Sequence, residues 1–175
     1  GEIQLSEFRG DVIILNLMAH DCSSCGYVQA HLEERMDDWI SMAEANGVGF
    51  HIFGYGAWYQ ESVEYLNASS GAYTVPMFPV GLGSDDAATL ADGSHADPVS
   101  LFSYGSIPLV MIIDAEGYIV EKQSSATPFG GWGEFDSSLE SALSGNVTNT
   151  ISDRIAWEDP TLTLLYESTL LSLEV

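Results

Sequence analysis

The feature that most restricts the fold is an apolar run followed by two closely spaced cysteines. Val12-Ile13-Ile14-Leu15-Asn16-Leu17 follows the turn signal Gly10-Asp11 and is rich in β-branched residues. Such a run reads as a strand buried on both faces, which predicts a central, parallel strand. From Ser23 onward, Val28, Leu32, Met36, Trp39, Ile40 and Ala43 recur at helical spacing, and Asn46-Gly47 stops the pattern. The spacing predicts a long amphipathic helix ending near Asn46. Val48 to Gly54 then reads as a second strand and Gln60 to Leu66 as a second helix, with Val63 and Leu66 inward. Strand, helix, strand, helix predicts a parallel α/β sheet.

The stretch from Gly71 to Pro98 is dense in Gly, Pro, Asp and Ser and has little periodicity, so it reads as an insertion in which Met77 to Val80 forms an edge strand. A short helix is expected over Pro98 to Tyr104. Ile107-Pro108 precedes Leu109-Val110-Met111-Ile112-Ile113, and Asp114-Ala115-Glu116-Gly117 turns that run into Tyr118-Ile119-Val120 as an antiparallel hairpin. Ser137-Ser138-Leu139-Glu140 has the spacing of a capping box and is expected to open a helix that Gly145 closes. The compact domain is expected to span residues 1–145. Residues 146–175 carry Ile151, Ile155, Trp157 and a set of leucines from Leu162 to Leu173, too apolar for a solvated tail. They read as an extension packed on the domain or on a second protomer, the latter giving a homodimer.

The chain has 175 residues, enough for one domain with a sizeable core, and 46% hydrophobic residues against 17% charged excludes intrinsic disorder. Four Lys and Arg against 26 Asp and Glu give a net charge of −22. A polyanion of this kind is unsuited to nucleic acid and to anionic lipid, and it attracts cations and basic partners. The acidity comes mainly from missing Lys and Arg, a pattern that suits a salty, marine-like milieu where self-repulsion is screened. No run approaches the ~18 apolar residues of a membrane span. Membrane contact is therefore expected only through an anchor outside the sequence. The chain opens on Gly1 rather than Met, from which an upstream segment is expected, and the sequons Asn67-Ala68-Ser69 and Asn146-Val147-Thr148 lean toward an exported, extracytoplasmic protein.

Cys22 and Cys25 are the two cysteines of the chain, as Cys-Ser-Ser-Cys between the first strand and the first helix. A thiolate at a helix N-terminus faces unpaired N–H groups and the positive end of the macrodipole, which lowers its pKa and makes it nucleophilic. Two intervening residues let Cys25 resolve a mixed disulfide formed on Cys22. A structural disulfide more often joins distant segments. A zinc site would have to recruit His20, His31, His51 or His95, which lack paired spacing, and inert thiols do not explain the helix-start position. The pattern points to dithiol–disulfide chemistry with no cofactor beyond the cysteine pair and no metal.

The run Leu5-Ser6-Glu7-Phe8-Arg9-Gly10-Asp11 into Val12 to Ala19 and Cys22-Ser23-Ser24-Cys25, with Tyr104-Gly105-Ser106-Ile107-Pro108 and the following hairpin, resembles thioredoxin-like proteins of the TlpA/ResA type in the redoxin superfamily. The resemblance covers about residues 3–144. It implies a thioredoxin fold, a central mixed β-sheet flanked by helices. It further implies that Cys22 is the exposed nucleophile, Cys25 the buried resolving thiol and Ile107–Pro108 a cis bond. The Ile107 backbone would then pair with an extended substrate segment, and the partners would be protein thiols and disulfides. Asn16 stands where thioredoxin proper has a buried Asp, so proton transfer from Cys25 lacks that carboxylate. The family's usual aromatic before the first cysteine is here Asp21, and its Pro within the pair is Ser24. The resemblance implies a thiol–disulfide oxidoreductase.

Three other functions compete with this one. Peroxidases of this fold need Pro and Thr or Ser at set positions before the reactive cysteine, whereas Leu15 and Ala19 stand there before Cys22, and Met18 and Cys22 before Cys25. Sco-type copper carriers separate their cysteines by three residues and add a His, for which His95 is the candidate. A redoxin fold used as a recognition or scaffold domain, assembling through residues 151–175, is the non-enzymatic alternative.

Overall fold

The computed structural model describes residues 2–19, 21–56, 80–82, 88–89, 95–96, 106–124, 131–146 and 163–165. β1 (Glu2–Gln4) leads through a 3-10 turn at Leu5–Phe8 into β2 (Val12–Met18), α1 (Ser23–Asn46) and β3 (Phe50–Gly56). Then come β4 (Val80–Leu82), β5 (Ala88–Thr89), β6 (His95–Ala96), β7 (Leu109–Ile113), β8 (Ile119–Gln123), α2 (Gly133–Leu143) and β9 (Thr163–Leu165). Gln60–Leu66, most of the 71–98 insertion, the Pro98–Tyr104 helix and His20 lie outside the described residues.

The main sheet has five strands in the order β4-β3-β2-β7-β8. β2 is central, as its composition predicts, but its two neighbours run in opposite senses: parallel to β3 and antiparallel to β7. The sheet is thus mixed, as the resemblance implies, and the composition of β2 points only to its parallel neighbour. An unbroken apolar run reports that both faces are covered, and says nothing of the direction of the strand beside it. Every residue of β2 is buried. On one face Val12, Ile14, Ile52, Val110, Ile112 and Val120 pack under Val28, Leu32, Trp39 and Ala43 of α1 and Phe135, Leu139 and Leu143 of α2. On the other face the Phe8 ring closes on His51 and Phe53, with centroids 4.6 and 5.0 Å apart.

α1 ends as the sequence predicts. Gly47 takes φ 68°, and the N–H groups of Gly47 and Val48 bond the carbonyls of Glu44 and Ala43 at 3.2 and 3.1 Å, satisfying two of the helix's orphan carbonyls. Ile40, read from its spacing as part of the apolar face, is 39% exposed, because Trp39 beside it already fills the groove. α2 starts at Gly133, four residues before the expected Ser137 cap. Its first turn carries Glu134 and Asp136, which suit the positive end of the helix, and Gly131 turns the chain into it at φ 88°. The two helices are joined by a polar seam. His31 Nε2 lies 2.7 Å from Asp136 Oδ1 while its ring stacks on Trp132, and Arg35 reaches Asp38 at 2.7 Å, Glu140 at 3.4 Å and Asp136 at 3.6 Å. One of the four cations in a chain of −22 is thus committed to holding α1 against α2.

The β7–β8 hairpin is as expected, with Gly117 at φ 89°. Asp114 organises it: Oδ1 accepts from the N–H groups of Glu116 and Tyr118 at 3.0 and 2.9 Å. Burial raises the Asp114 pKa above the ordinary carboxylate range, the Glu116 charge adds to this, and the turn's N–H groups oppose it. A raised folded-state pKa means stability that is present below the ordinary carboxylate range and lost as pH rises through the folded value. Asp114→Asn keeps the acceptor without the charge. It is therefore expected to match or exceed the wild type in urea midpoint at pH 7 and to flatten the midpoint's dependence between roughly pH 4 and 7. A midpoint lower at pH 7 than at pH 4 by the same amount in both proteins would contradict this.

Thr163–Leu165 lies antiparallel to Glu2–Gln4. The rest of the 147–175 stretch is outside the described residues.

Candidate active site

The site forms where β2 ends, because seven residues of strand deliver the chain to the edge of the sheet and α1 begins five residues after Met18. Cys22 is the N-cap of α1, with extended backbone (φ −85°, ψ 94°), and its sulfur accepts from the Cys25 N–H at 3.2 Å. The cap role usually taken by Ser, Thr or Asp oxygen is filled here by sulfur. Cys22 N–H bonds the Ala19 carbonyl at 3.2 Å, which closes the tight connection from strand to helix. Cys22 and Cys25 form a disulfide, their Cα atoms 5.3 Å apart. The two sulfurs are not equivalent: Cys22 is half-buried, whereas Cys25 is wholly buried on the core side of the helix's first turn.

β7 supplies the second wall. Leu17 pairs with Leu109, so Pro108 stands one residue beyond the ladder, beside the end of β2. The Ile107–Pro108 bond is cis. Pro108 is buried, Ile107 is partly exposed and packs with Cys22 against the buried pair Met18 and Cys25. Residues from three separate places in the sequence, Met18, Cys22 with Cys25, and Ile107 with Pro108, thus meet at one end of the sheet. Asp21 is exposed beside Cys22, and Tyr27, two residues past Cys25, is left 65% exposed.

His31 and His51 are engaged far from the sulfurs, with Asp136 and with Asp11 at 2.8 Å. No group of three His, Cys, Asp or Glu side chains able to hold a metal occurs among the described residues. No described helix is long and apolar enough to cross a membrane.

Sequence reading had not singled out Met18. The signal was present: Asn16 and Met18 alternate with Leu15 and Leu17, so they share the face of β2 that α1 covers, four residues before the cysteine.

Solved structures share this arrangement of elements. A provisionally assigned protein disulfide isomerase from Bacteroides thetaiotaomicron superposes with TM-score 0.55 at 20% identity, over 79% of this chain and 77% of that one. The chain has a thioredoxin-like fold. A thioredoxin-like protein from Porphyromonas gingivalis gives 0.53 at 18% identity, over 79% and 76%. A thiol-disulfide isomerase from Corynebacterium glutamicum gives 0.51 at 15%, over 85% and 88%. No protein-family model matches the sequence, and no curated protein matches it. In this thioredoxin-like frame the cysteine pair opens the helix that follows the central strand, and the cis proline stands just before the neighbouring strand β7.

Proposed function

We propose that the protein is a thiol–disulfide oxidoreductase that exchanges electrons with thiols and disulfides of partner proteins through Cys22 and Cys25. The observation that carries this reading is the asymmetry of the pair at the start of α1: Cys22 is partly exposed and Cys25 has no accessible surface. The sulfur of the partly exposed cysteine is the one proposed to be attacked, and its partner, held within bonding distance, can leave and return. The helix N-terminus favours the anionic form of Cys22 once the bond opens. The cis Ile107–Pro108 bond beside the pair supports a substrate role for Ile107, whose backbone can receive an extended segment by strand-like pairing, with Pro108 shaping that loop. An oxidising, extracytoplasmic compartment, where disulfides form and are retained, suits such an exchange.

The test is equilibration of the Cys22–Cys25 couple with glutathione and dithiothreitol buffers, at low and at molar salt. Cycling with a defined potential is the expected result. A value near ~−270 mV would make the protein a reductant of its partners, and one near ~−120 mV an oxidant that installs disulfides. A pair that does not cycle would remove the enzymatic reading.

A further inference from the structure

One buried side chain beside the disulfide is poorly satisfied. Asn16 is fully buried in β2, its Nδ2 donates to the thioether of Met18 at 3.6 Å, and its Oδ1 finds no hydrogen-bond partner among the described residues. A buried amide ordinarily finds strong acceptors and donors, and leaving it with a weak sulfur acceptor and an orphan oxygen costs stability. The neighbouring strand leaves room for this arrangement, since the β3 residues opposite Asn16 and Met18 are Gly54 and Gly56, which carry no side chain. Met18 in turn packs against Cys25, with Cys22 and Ile107 on the rim of the same cluster. The polar group therefore sits one side chain away from the sulfur that must change its bonding during exchange.

We propose that Asn16 and Met18 act together as positioning residues for Cys25: the amide sets the Met18 side chain against the resolving sulfur and is the polar group that steadies that sulfur while the disulfide is open. The proposal rests on the exchange reading above. In the first step a partner thiolate forms a bond to Cys22 Sγ, the Cys22–Cys25 bond breaks, and its electron pair goes to Cys25 Sγ. A second partner thiolate then attacks the partner sulfur of the mixed disulfide, releasing the Cys22 thiolate. The partner dithiol has lost two electrons to the cysteine pair. In the reverse direction the Cys25 thiolate attacks Cys22 Sγ and expels the partner thiolate. In either direction Cys25 carries a full charge or a proton inside an apolar pocket formed by Met18, Cys22 and Ile107. An enclosed thiolate without a donor is strongly disfavoured. An amide offers a donor to the thiolate and an acceptor to the thiol, and the Asn16 amide holds a weakly used N–H and an unused oxygen.

The experiment is stopped-flow reaction of the reduced protein with 5,5′-dithiobis(2-nitrobenzoate), which releases one thionitrobenzoate when Cys22 attacks and a second when Cys25 closes the disulfide. Met18→Leu conserves volume, and Asn16→Leu replaces the amide by an apolar group of similar size. Each is expected to slow the second release about tenfold and the first by less than about twofold, and the double variant to be no slower than the worse single one, as for residues that act as a unit. Equal slowing of both releases would reduce the pair to a packing role and overturn the proposal, as would a second release unchanged in both variants. Should Asn16→Leu fail to fold, Met18→Leu decides alone. Wild-type protein that releases only one equivalent would instead defeat the exchange reading itself.

Discussion

Replacing Cys22 by Ser is expected to lower the rate of insulin disulfide reduction by roughly 10³-fold or more, to the level of the reductant alone. Cys25→Ser is expected to do something different: it should accumulate a stable mixed disulfide on Cys22 with its partner. The difference follows from burial. Cys22 is partly exposed, whereas Cys25 has no accessible surface. On the proposed function, loss of the first removes the nucleophile and loss of the second removes the group that expels the partner. Non-reducing electrophoresis and mass spectrometry of the Cys25→Ser protein after exposure to oxidised partner give the readout. Retained insulin reduction by Cys22→Ser, or mixed disulfides trapped on Cys25 instead, would reverse the assignment.

The legibility of this site in the sequence was uneven, for identifiable reasons. Cys22 and Cys25 declared themselves because their position relative to a strand and a helix start carries chemistry of its own, and the strand and helix were both strongly patterned. The hairpin after Pro108 was equally plain, since Asp114 to Gly117 is turn chemistry that works through local hydrogen bonds. What could not be read was anything set by non-local packing. The antiparallel neighbour of β2 is chosen by which segment reaches its open edge, and the residues of β2 look the same for either direction. The start of α2 differs from the expected one because Ser137 and Glu140 match a cap pattern, yet the helix already begins at Gly133, after an N-cap Trp132 that stacks on His31 and meets Phe135 edge-on. Met18 stayed hidden because a methionine at the end of an apolar strand is ordinary core until its neighbours are known. Asn16 was legible as a departure from the resemblance, while its weak bond to Met18 and its orphan oxygen needed coordinates.

Stability and chemistry are separable in this fold, and Trp39 is the residue that should show it. Its side chain is completely buried between α1 and the sheet, with its ring edge-on to Phe50 and His31 and the Arg35 guanidinium 5.7 Å from its centroid. Trp39→Ala should therefore cost about 3–5 kcal/mol, from lost transfer energy together with the cavity left under a helix that the Arg35 seam prevents from collapsing. Against a total of roughly 5–15 kcal/mol, that is a large share of what holds a domain together. Trp39→Phe should lose much less, because the Trp39 Nε1 has no hydrogen-bond partner among the described residues, so removing it relieves a buried unsatisfied donor while most ring contacts persist. Urea unfolding followed by circular dichroism gives both values, with an unchanged slope showing that the same surface is exposed. Trp39 lies 17 residues along α1 from Cys22, about 25 Å at 1.5 Å per residue. The reduction potential of the cysteine pair should accordingly stay within about 10 mV of the wild type in Trp39→Phe, since neither the helix start nor the Met18 contact is touched. A shift well beyond that would mean that the whole length of α1 transmits strain to the disulfide, and that the site cannot be understood from its first turn alone.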